Sequence, residues 1–247
     1  MSVGAAKRRD RVLAPERGAP LHPHDLIEGQ GVAAEILAAR PAIYALIHNA
    51  GALDDHYHVS PQGLEQTLAS HLVGPALLTE LLLPALRRGA PARILWVSSG
   101  GMYTEPLDVD RLHLPRDGYD GLTAYARAKR AQIALVQHDA QRLAPDRILV
   151  HAMHPGWADT PGVARSLPRF RRLLRPLLRR PADAVDTLVW LTVADDPAIA
   201  QSGRLWLDRR PRPLHRLART RRADTPEERE RLITWLSRQL QRDLDPP

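Results

Sequence analysis

Three short apolar runs, each ending in a cluster of polar residues and glycine, limit what this chain can fold into. Ala42-Ile43-Tyr44-Ala45-Leu46-Ile47 stops at His48-Asn49-Ala50-Gly51, and Arg93-Ile94-Leu95-Trp96-Val97-Ser98-Ser99 stops at Gly100-Gly101. Arg147-Ile148-Leu149-Val150-His151-Ala152-Met153 stops at His154-Pro155-Gly156-Trp157. Short runs without polar alternation predict strands covered on both faces. Helical spacing fills the gaps. One segment runs from about Leu68 to Arg88, with Leu72, Leu77, Leu78, Leu81 and Leu82 inward and Pro75 and Pro84 bending or ending it. Another runs from about Thr123 to Leu143, with Ile133, Val136 and Ala140 on one side. Strands alternating with such helices predict an α/β fold, a Rossmann-type doubly wound parallel sheet in a single domain.

The flanking elements are read the same way. A short strand is expected within Pro20 to Ile27, a helix from about Gly31 to Arg40, and a helix start near Ser60-Pro61. Ser166 to Arg180 reads as a strongly amphipathic helix, followed by a helix from about Ala182 to Val193 and a last strand at Arg204 to Leu207. Thr225-Pro226-Glu227-Glu228 combines a cap, a first-turn proline and acids against the dipole, so a helix should run from there to about Leu240. Residues 1–19 are basic and rich in Pro and Gly, which predicts a disordered leader before a domain at 20–247.

Composition excludes some functions. The absence of cysteine removes disulfides and thiolate metal sites. The net charge of +7 is carried by arginine in a chain generally rich in Ala, Arg, Leu and Pro, so it does not single out nucleic acid as a partner. No apolar run approaches the ~20 residues of a membrane span, and the N-terminal basic residues lack the apolar core of a signal peptide. A cytoplasmic protein without a transmembrane segment is expected.

In parallel sheets ligands sit at the carboxyl ends of the strands, where this chain places its informative residues. Asn49 is its only asparagine, and Lys129 is one of two lysines among 35 Lys plus Arg. Lys129 follows Tyr125 by four positions, so on a helix the hydroxyl and the ammonium share a face. A nearby ammonium favours phenolate and would lower the tyrosine pKa. A solvated helix face with a chance Tyr/Lys pair would look the same in isolation. Four motifs in order at one sheet edge do not read as chance.

Asn49-Ala50-Gly51, Ser99, Tyr125-x-x-x-Lys129 and Pro155-Gly156-x-x-x-Thr160 together resemble the short-chain dehydrogenase/reductase superfamily, from about residue 20 to the end. The wording Val97 to Met102 and His154 to Val163, with Ser202-Gly203-Arg204 and Asp208-Arg209, is similar to a narrower group around dehydrogenase/reductase family member twelve. The resemblance implies hydride transfer between NAD or NADP and a carbonyl or alcohol substrate. By it, Tyr125 is the general acid or base, Lys129 holds the nicotinamide ribose and depresses the tyrosine pKa, and Ser99 hydrogen-bonds the substrate oxygen. Asn49, Ala50, Gly51, Pro155, Gly156, Trp157 and Thr160 would line the cofactor, and Asp25 would lie beside the adenine. Pairing through the Tyr/Lys helix and the helix before it would give a homodimer.

Two departures stand out. The family's asparagine in an Asn-x-x-Gly context is His71 here, in His71-Leu72-Val73-Gly74. The family's opening strand, Gly-rich phosphate turn and helix have no counterpart before Asn49, so the fold is expected to be N-terminally shortened. Gly29-Gln30-Gly31-Val32-Ala33-Ala34 offers a loose substitute for that turn, after a poor strand. These departures leave an alternative: a catalytically silent remnant that serves as a binding or scaffold protein. His22, His24 and Asp54-Asp55-His56-x-His58 lack matched metal-ligand spacing and read as surface residues, so no metal site is expected. The arginine-rich helix around Leu167 to Leu178 reads as a substrate lid with a solvated basic face, ahead of a membrane-surface contact.

Overall fold

The computed structural model describes residues 25–159, 172, 178–241 and 244. The leader, the strand at 20–24, His22, His24, Thr160 and nearly all of the expected lid helix lie outside those residues. Asp25 caps helix α1 (Leu26–Ala39), its carboxylate accepting the N–H groups of Ile27 and Glu28. The strand expected up to Ile27 and the helix start at Gly31 are therefore corrected: the carboxylate cap starts the helix at Leu26. Gly29 and Gly31 lie inside α1, and the Gly29 N–H is spent on the Asp25 carbonyl at 3.0 Å. No phosphate turn forms there.

The sheet has order β1-β2-β3-β4-β5, with β1 (Ala45–His48), β2 (Ala92–Val97), β3 (Ile148–Met153) and β4 (Leu205–Leu207) parallel. Register sets Leu46 beside Ile94 and Ile94 beside Val150. Strand β5 (Arg210–Arg212) returns antiparallel to β4 through Asp208 and Arg209, both at positive φ (55° and 54°). Such a two-residue turn matches the sheet twist but strains residues other than glycine. Ion pairs hold it: Arg209 clasps Asp186, and Arg179 clasps Asp208.

Between β1 and β2, α2 (Gln66–Leu68) continues through a π-helical turn (Ala69–Val73) into α3 (Gly74–Arg88). The separate helix expected from Ser60-Pro61 does not form: those residues make a turn closed by the Gly63 N–H on the Ser60 carbonyl, and helix begins at Gln66, where the buried Glu65 is the cap, accepting from the N–H of Thr67 at 2.7 Å and of Leu68 at 2.9 Å. The helix Gln66–Arg88 is long and apolar enough to cross a membrane by length and composition, contrary to expectation, but 67% of its most apolar stretch is buried in this fold. It is a core helix.

Helix α4 (Gly121–Arg142) carries Tyr125 and Lys129. The helix expected at Ala182 to Val193 is broken at Val185 into α5 (Pro181–Ala184) and α6 (Asp186–Val193), with α7 (Ala218–Ala223) and α8 (Pro226–Leu240) following. Thr225 caps α8 as expected, accepting from the Glu228 N–H. Helix α8 packs against α4 of its own chain, covering part of the helix expected to pair two copies.

Side chains alternate across the sheet with period two. Ile94, Trp96 and Val150 join Leu72, Leu82, Leu86, Ile133 and Leu236 in the larger core. Full burial of such a side chain contributes about 1.5–3 kcal/mol. Leu95, Met153 and Trp206 point the other way, onto Leu191 and Ile199. Arg93 fixes α6 on that face, donating to the carbonyls of Leu191 (2.7 Å) and Ala194 (2.6 Å) at its C-terminal end.

Two core histidines are buried in their neutral form. His48 packs at a 45° tilt against the Trp96 ring with its Nε2 2.8 Å from the Thr79 hydroxyl, and burial lowers its pKa to about 3. His151 accepts from the Trp206 Nε1–H through Nδ1 and donates from Nε2 to the Ile199 carbonyl. Burial lowers its pKa to about 4. Because both folded pKa values lie below the ordinary 6.5, the unfolded chain binds more protons in acid. Their stabilising contribution is complete above pH 6.5 and is lost as pH falls toward 4 and 3. Each should cost on the order of 1 kcal/mol per pH unit within that window. Urea midpoints measured from pH 7.5 to 4.5 should fall steadily below 6.5; a flat profile would contradict this assignment.

Candidate active site

Parallel pairing of β1, β2 and β3 brings their carboxyl ends side by side. Asn49, Ala50 and Gly51 leave β1, Ser98 and Ser99 leave β2, and Pro155, Gly156 and Trp157 follow β3. Helix α4 lies behind this edge and is bonded to it. The buried Lys129 ammonium donates to the Val97 carbonyl at 2.8 Å. Ser99 caps a short 3-10 turn (Gly100–Tyr103), its Oγ accepting the Gly101 N–H at 3.2 Å. Its own proton is left to donate, and Ser99 lies near enough to Tyr125 to act on its ionisation. Ser99, Tyr125 and Lys129 therefore lie together at this edge of the sheet.

The electrostatics differ from the expectation. Burial pushes the Tyr125 pKa above its ordinary 10, outweighing the influence of the neighbouring Ser99 hydroxyl, which favours phenolate. Lys129 does not depress it here because its ammonium is turned to the Val97 carbonyl and lies 5.4 Å from the tyrosine ring centre. Burial also takes the Lys129 pKa from 10.5 down to about 7. The site holds a protonated phenol beside an ammonium that is readily neutralised.

His71 borders Tyr125 on another side, ring edge to ring face at 5.2 Å. Its Nδ1 lies 2.9 Å from the Thr67 carbonyl and donates to it, leaving Nε2 as a buried acceptor without a partner among the described residues. Burial holds its pKa at about 3, so the ring is neutral. Gln132, on α4, donates to the His71 carbonyl at 2.5 Å. Sequence reasoning missed Gln132; a polar side chain amid the apolar spacing of α4 was the available signal.

A second cluster gathers around a groove of about 220 Å³. Asp25 and Glu28 stand at its rim with Asn49 and Ala50, and Val32, Ile47, Leu77 and Leu78 form apolar walls. Asp25 and Asn49, distant in sequence, are thus brought together. Across the site, the His154 ring would lie 3.6 Å from a β-carbon on Gly100, and its Nδ1 accepts the Gly156 N–H at 3.0 Å. Gly156 has φ of 75°, and a β-carbon there would meet the Arg179 guanidinium at 2.8 Å. His154 and Arg179 also escaped sequence reasoning, since nothing in their local motifs announces them. His56 and His58 are exposed, near a single Asp54 carboxylate.

A family model described as Enoyl-(Acyl carrier protein) reductase matches residues 24–183. The chain belongs to the short-chain dehydrogenase/reductase family. Dehydrogenase/reductase SDR family member 12 of Bos taurus is 38% identical over 191 residues, which is 77% of this chain and 59% of that protein. The Homo sapiens protein of the same name is 36% identical over 199 residues, covering 81% of this chain and 62% of that one. The chain therefore spans about three-fifths of the length of these relatives. An uncharacterised protein from Mycobacterium paratuberculosis, solved by crystallography, shares the fold with TM-score 0.67 and 21% identity, over 91% of this chain and 75% of that one. An Escherichia coli CFT073 chain assigned as a short chain dehydrogenase and solved with NADPH matches at TM-score 0.56 and 24% identity, over 73% and 69% of the two chains.

His71 and Gly51 form a testable pair in this family member. A β-carbon on Gly51 would approach His71 Nε2 to 2.5 Å. Gly51→Ala should cost about 1–3 kcal/mol through overpacking, and His71→Ala in the same chain should return much of it. Thermal denaturation of the four proteins in this double-mutant cycle checks the coupling; strict additivity would show that the two do not touch.

Proposed function

We propose that the chain is an NAD(P)-dependent oxidoreductase that reduces a carbonyl or oxidises the corresponding alcohol. The observation that carries this reading is the placement of Tyr125 and the buried Lys129 on one face of α4 at the mouth of adjacent parallel strands, where Ser99 leaves β2. The dehydrogenase/reductase names of the relatives and the NADPH bound to the Escherichia coli chain support it. The residues present fit part of a dinucleotide. The groove beside Asp25, Asn49 and Ala50 has apolar walls for an adenine and a carboxylate for its ribose or amine, while Lys129 and the Pro155 to Trp157 turn flank the reacting end. Among the described residues no Gly-rich turn offers a pyrophosphate cradle, so affinity rests on the two ends. The cofactor, when bound, supplies or accepts the hydride.

In the reductive direction Tyr125 donates its proton to the substrate oxygen, and a pKa above 10 keeps it protonated across the working range. Ser99 turns its hydroxyl proton toward the same oxygen and stabilises developing negative charge. Lys129, as an ammonium, supports the phenolate left behind and holds ribose hydroxyls. The placement of Gly29 and Gly31 within α1 favours a second reading, a silent binding or scaffold protein.

One experiment separates the two. Fluorescence titration of the purified chain with NADPH and NADH should show saturable micromolar binding, weakened about ten-fold or more by Lys129→Ala, while Tyr125→Phe keeps binding and loses turnover by about 100-fold or more. A folded chain that binds neither nucleotide is not an oxidoreductase. The pH profile adds a sharper check. With a free-chain pKa of about 7, Lys129 loses its charge as pH rises, so kcat/KM should fall above pH 7. That limb should vanish in Lys129→Ala; its persistence would assign it to another group.

A further inference from the structure

The charge of the Asp25 groove runs against that of the chain. The sequence carries a net charge of +7, yet no lysine or arginine lines this groove among the described residues. Its charged groups are the carboxylates of Asp25 and Glu28. The remaining polar groups are neutral: Asn49 and Ser70 carry no charge, and burial keeps His48 unprotonated, with a pKa of about 3.

Helix α1 begins at this rim, and the unpaired N–H groups of a helix start ordinarily receive anions. Here all four are spent. The Leu26 N–H donates to Gln62 Oε1 at 3.4 Å, those of Ile27 and Glu28 to the Asp25 carboxylate at 2.9 and 3.4 Å, and that of Gly29 to the Asp25 carbonyl at 3.0 Å. The Gln62 amide also donates to the Asp25 carboxylate, at 3.0 Å, and so fixes it in place. Glu28 stands exposed in the same first turn. An anion arriving at the rim meets two negative charges, and the helix start offers it no donor.

In the oxidoreductase reading the groove takes an adenine. The 2′ oxygen of an adenosine is borne by the carbon next to the one that carries the base. A phosphate on that oxygen therefore stays at the mouth of whatever pocket holds the base, and it brings a charge of about −1.5 to −2 at neutral pH. We propose that the rim formed by Asp25 and Glu28 rejects a 2′-phosphate, so that the chain takes NAD in preference to NADP, with Glu28 setting the choice. The cofactor rests on the oxidoreductase reading; the rejection of the phosphate rests on the groove alone. Asp25 is committed to capping α1, whereas the Glu28 charge can be altered without removing the cap.

Fluorescence titration of the intact chain with NADH and NADPH tests the choice. NADH should bind about ten-fold tighter than NADPH. Glu28→Gln should narrow that ratio, and Glu28→Lys should bring it to one or below. In the unmodified chain, raising salt from about 20 to about 500 mM should also narrow it, a readout that needs no substitution. Equal affinities, tighter binding of NADPH, or a preference that survives Glu28→Lys overturns the proposal while leaving the oxidoreductase reading in place. Calorimetry with 5′-AMP and 2′,5′-ADP, which lack the nicotinamide, separates the two readings. A preference for 5′-AMP that Glu28→Lys removes, in a chain that binds neither NADH nor NADPH, keeps the rejection of the 2′-phosphate and removes the oxidoreductase reading. A folded chain that binds none of the four overturns both.

Discussion

The hydrogen bond from the Lys129 ammonium to the Val97 carbonyl joins the two halves of the candidate site. It fastens α4 to the last residue of β2, immediately before the serines that leave the sheet. Tyr125 lies one helical turn away on the same face, so its hydroxyl is carried to Ser99 by the same contact. Burying an ammonium is costly, and the depressed pKa of Lys129 expresses that cost. A fold that sought only stability would place a leucine there. Lys129 instead puts there a group whose charge is available near neutral pH, which suits the proposed proton-transfer role.

The parallel strands were legible because a doubly covered strand must be apolar throughout, and each of the three runs broke off at Asn49, Ser99 or Pro155. The cap at Thr225 was legible because capping is local chemistry. Longer-range balances were not. Asp25-Leu26-Ile27 reads equally as a strand end or a helix start, and only the two N–H bonds to the Asp25 carboxylate decide. The β4–β5 turn has no glycine or asparagine, and its left-handed backbone is held by ion pairs to Arg179 and Asp186, about 20 to 30 residues away.

Within the site, the placement of Ser99, Tyr125 and Lys129 at one edge followed from spacing on one helix and one strand end. Its electrostatics did not. The sequence places an ammonium near a phenol, but the sign of the tyrosine shift depends on how deeply both are buried and where the ammonium points. The arginines whose charge acts on His154 come from two stretches, one at Arg179 and one holding Arg212 and Arg216, that meet only once β5 has turned back on β4. No local motif encodes such a meeting.

The π-helical turn at Ala69–Val73 ties several of these details together. Widening a helix to i→i+5 bonding disturbs the carbonyl pairing of the preceding turn, and buried carbonyls need other donors. Thr67 is served by the His71 ring nitrogen at 2.9 Å and by Ser70 Oγ at 3.3 Å, while the His71 carbonyl is served by Gln132. The histidine is thereby fixed in one neutral tautomer, its ring lodged between Gly51 and Tyr125. An asparagine in its place would be too short to fill that space while also reaching back to Thr67. The substitution at position 71, the glycine at 51 and the glutamine on α4 are therefore parts of one packing solution. It leaves two buried acceptors unpaired among the described residues, His71 Nε2 against Tyr125 and Gln132 Oε1 on α4.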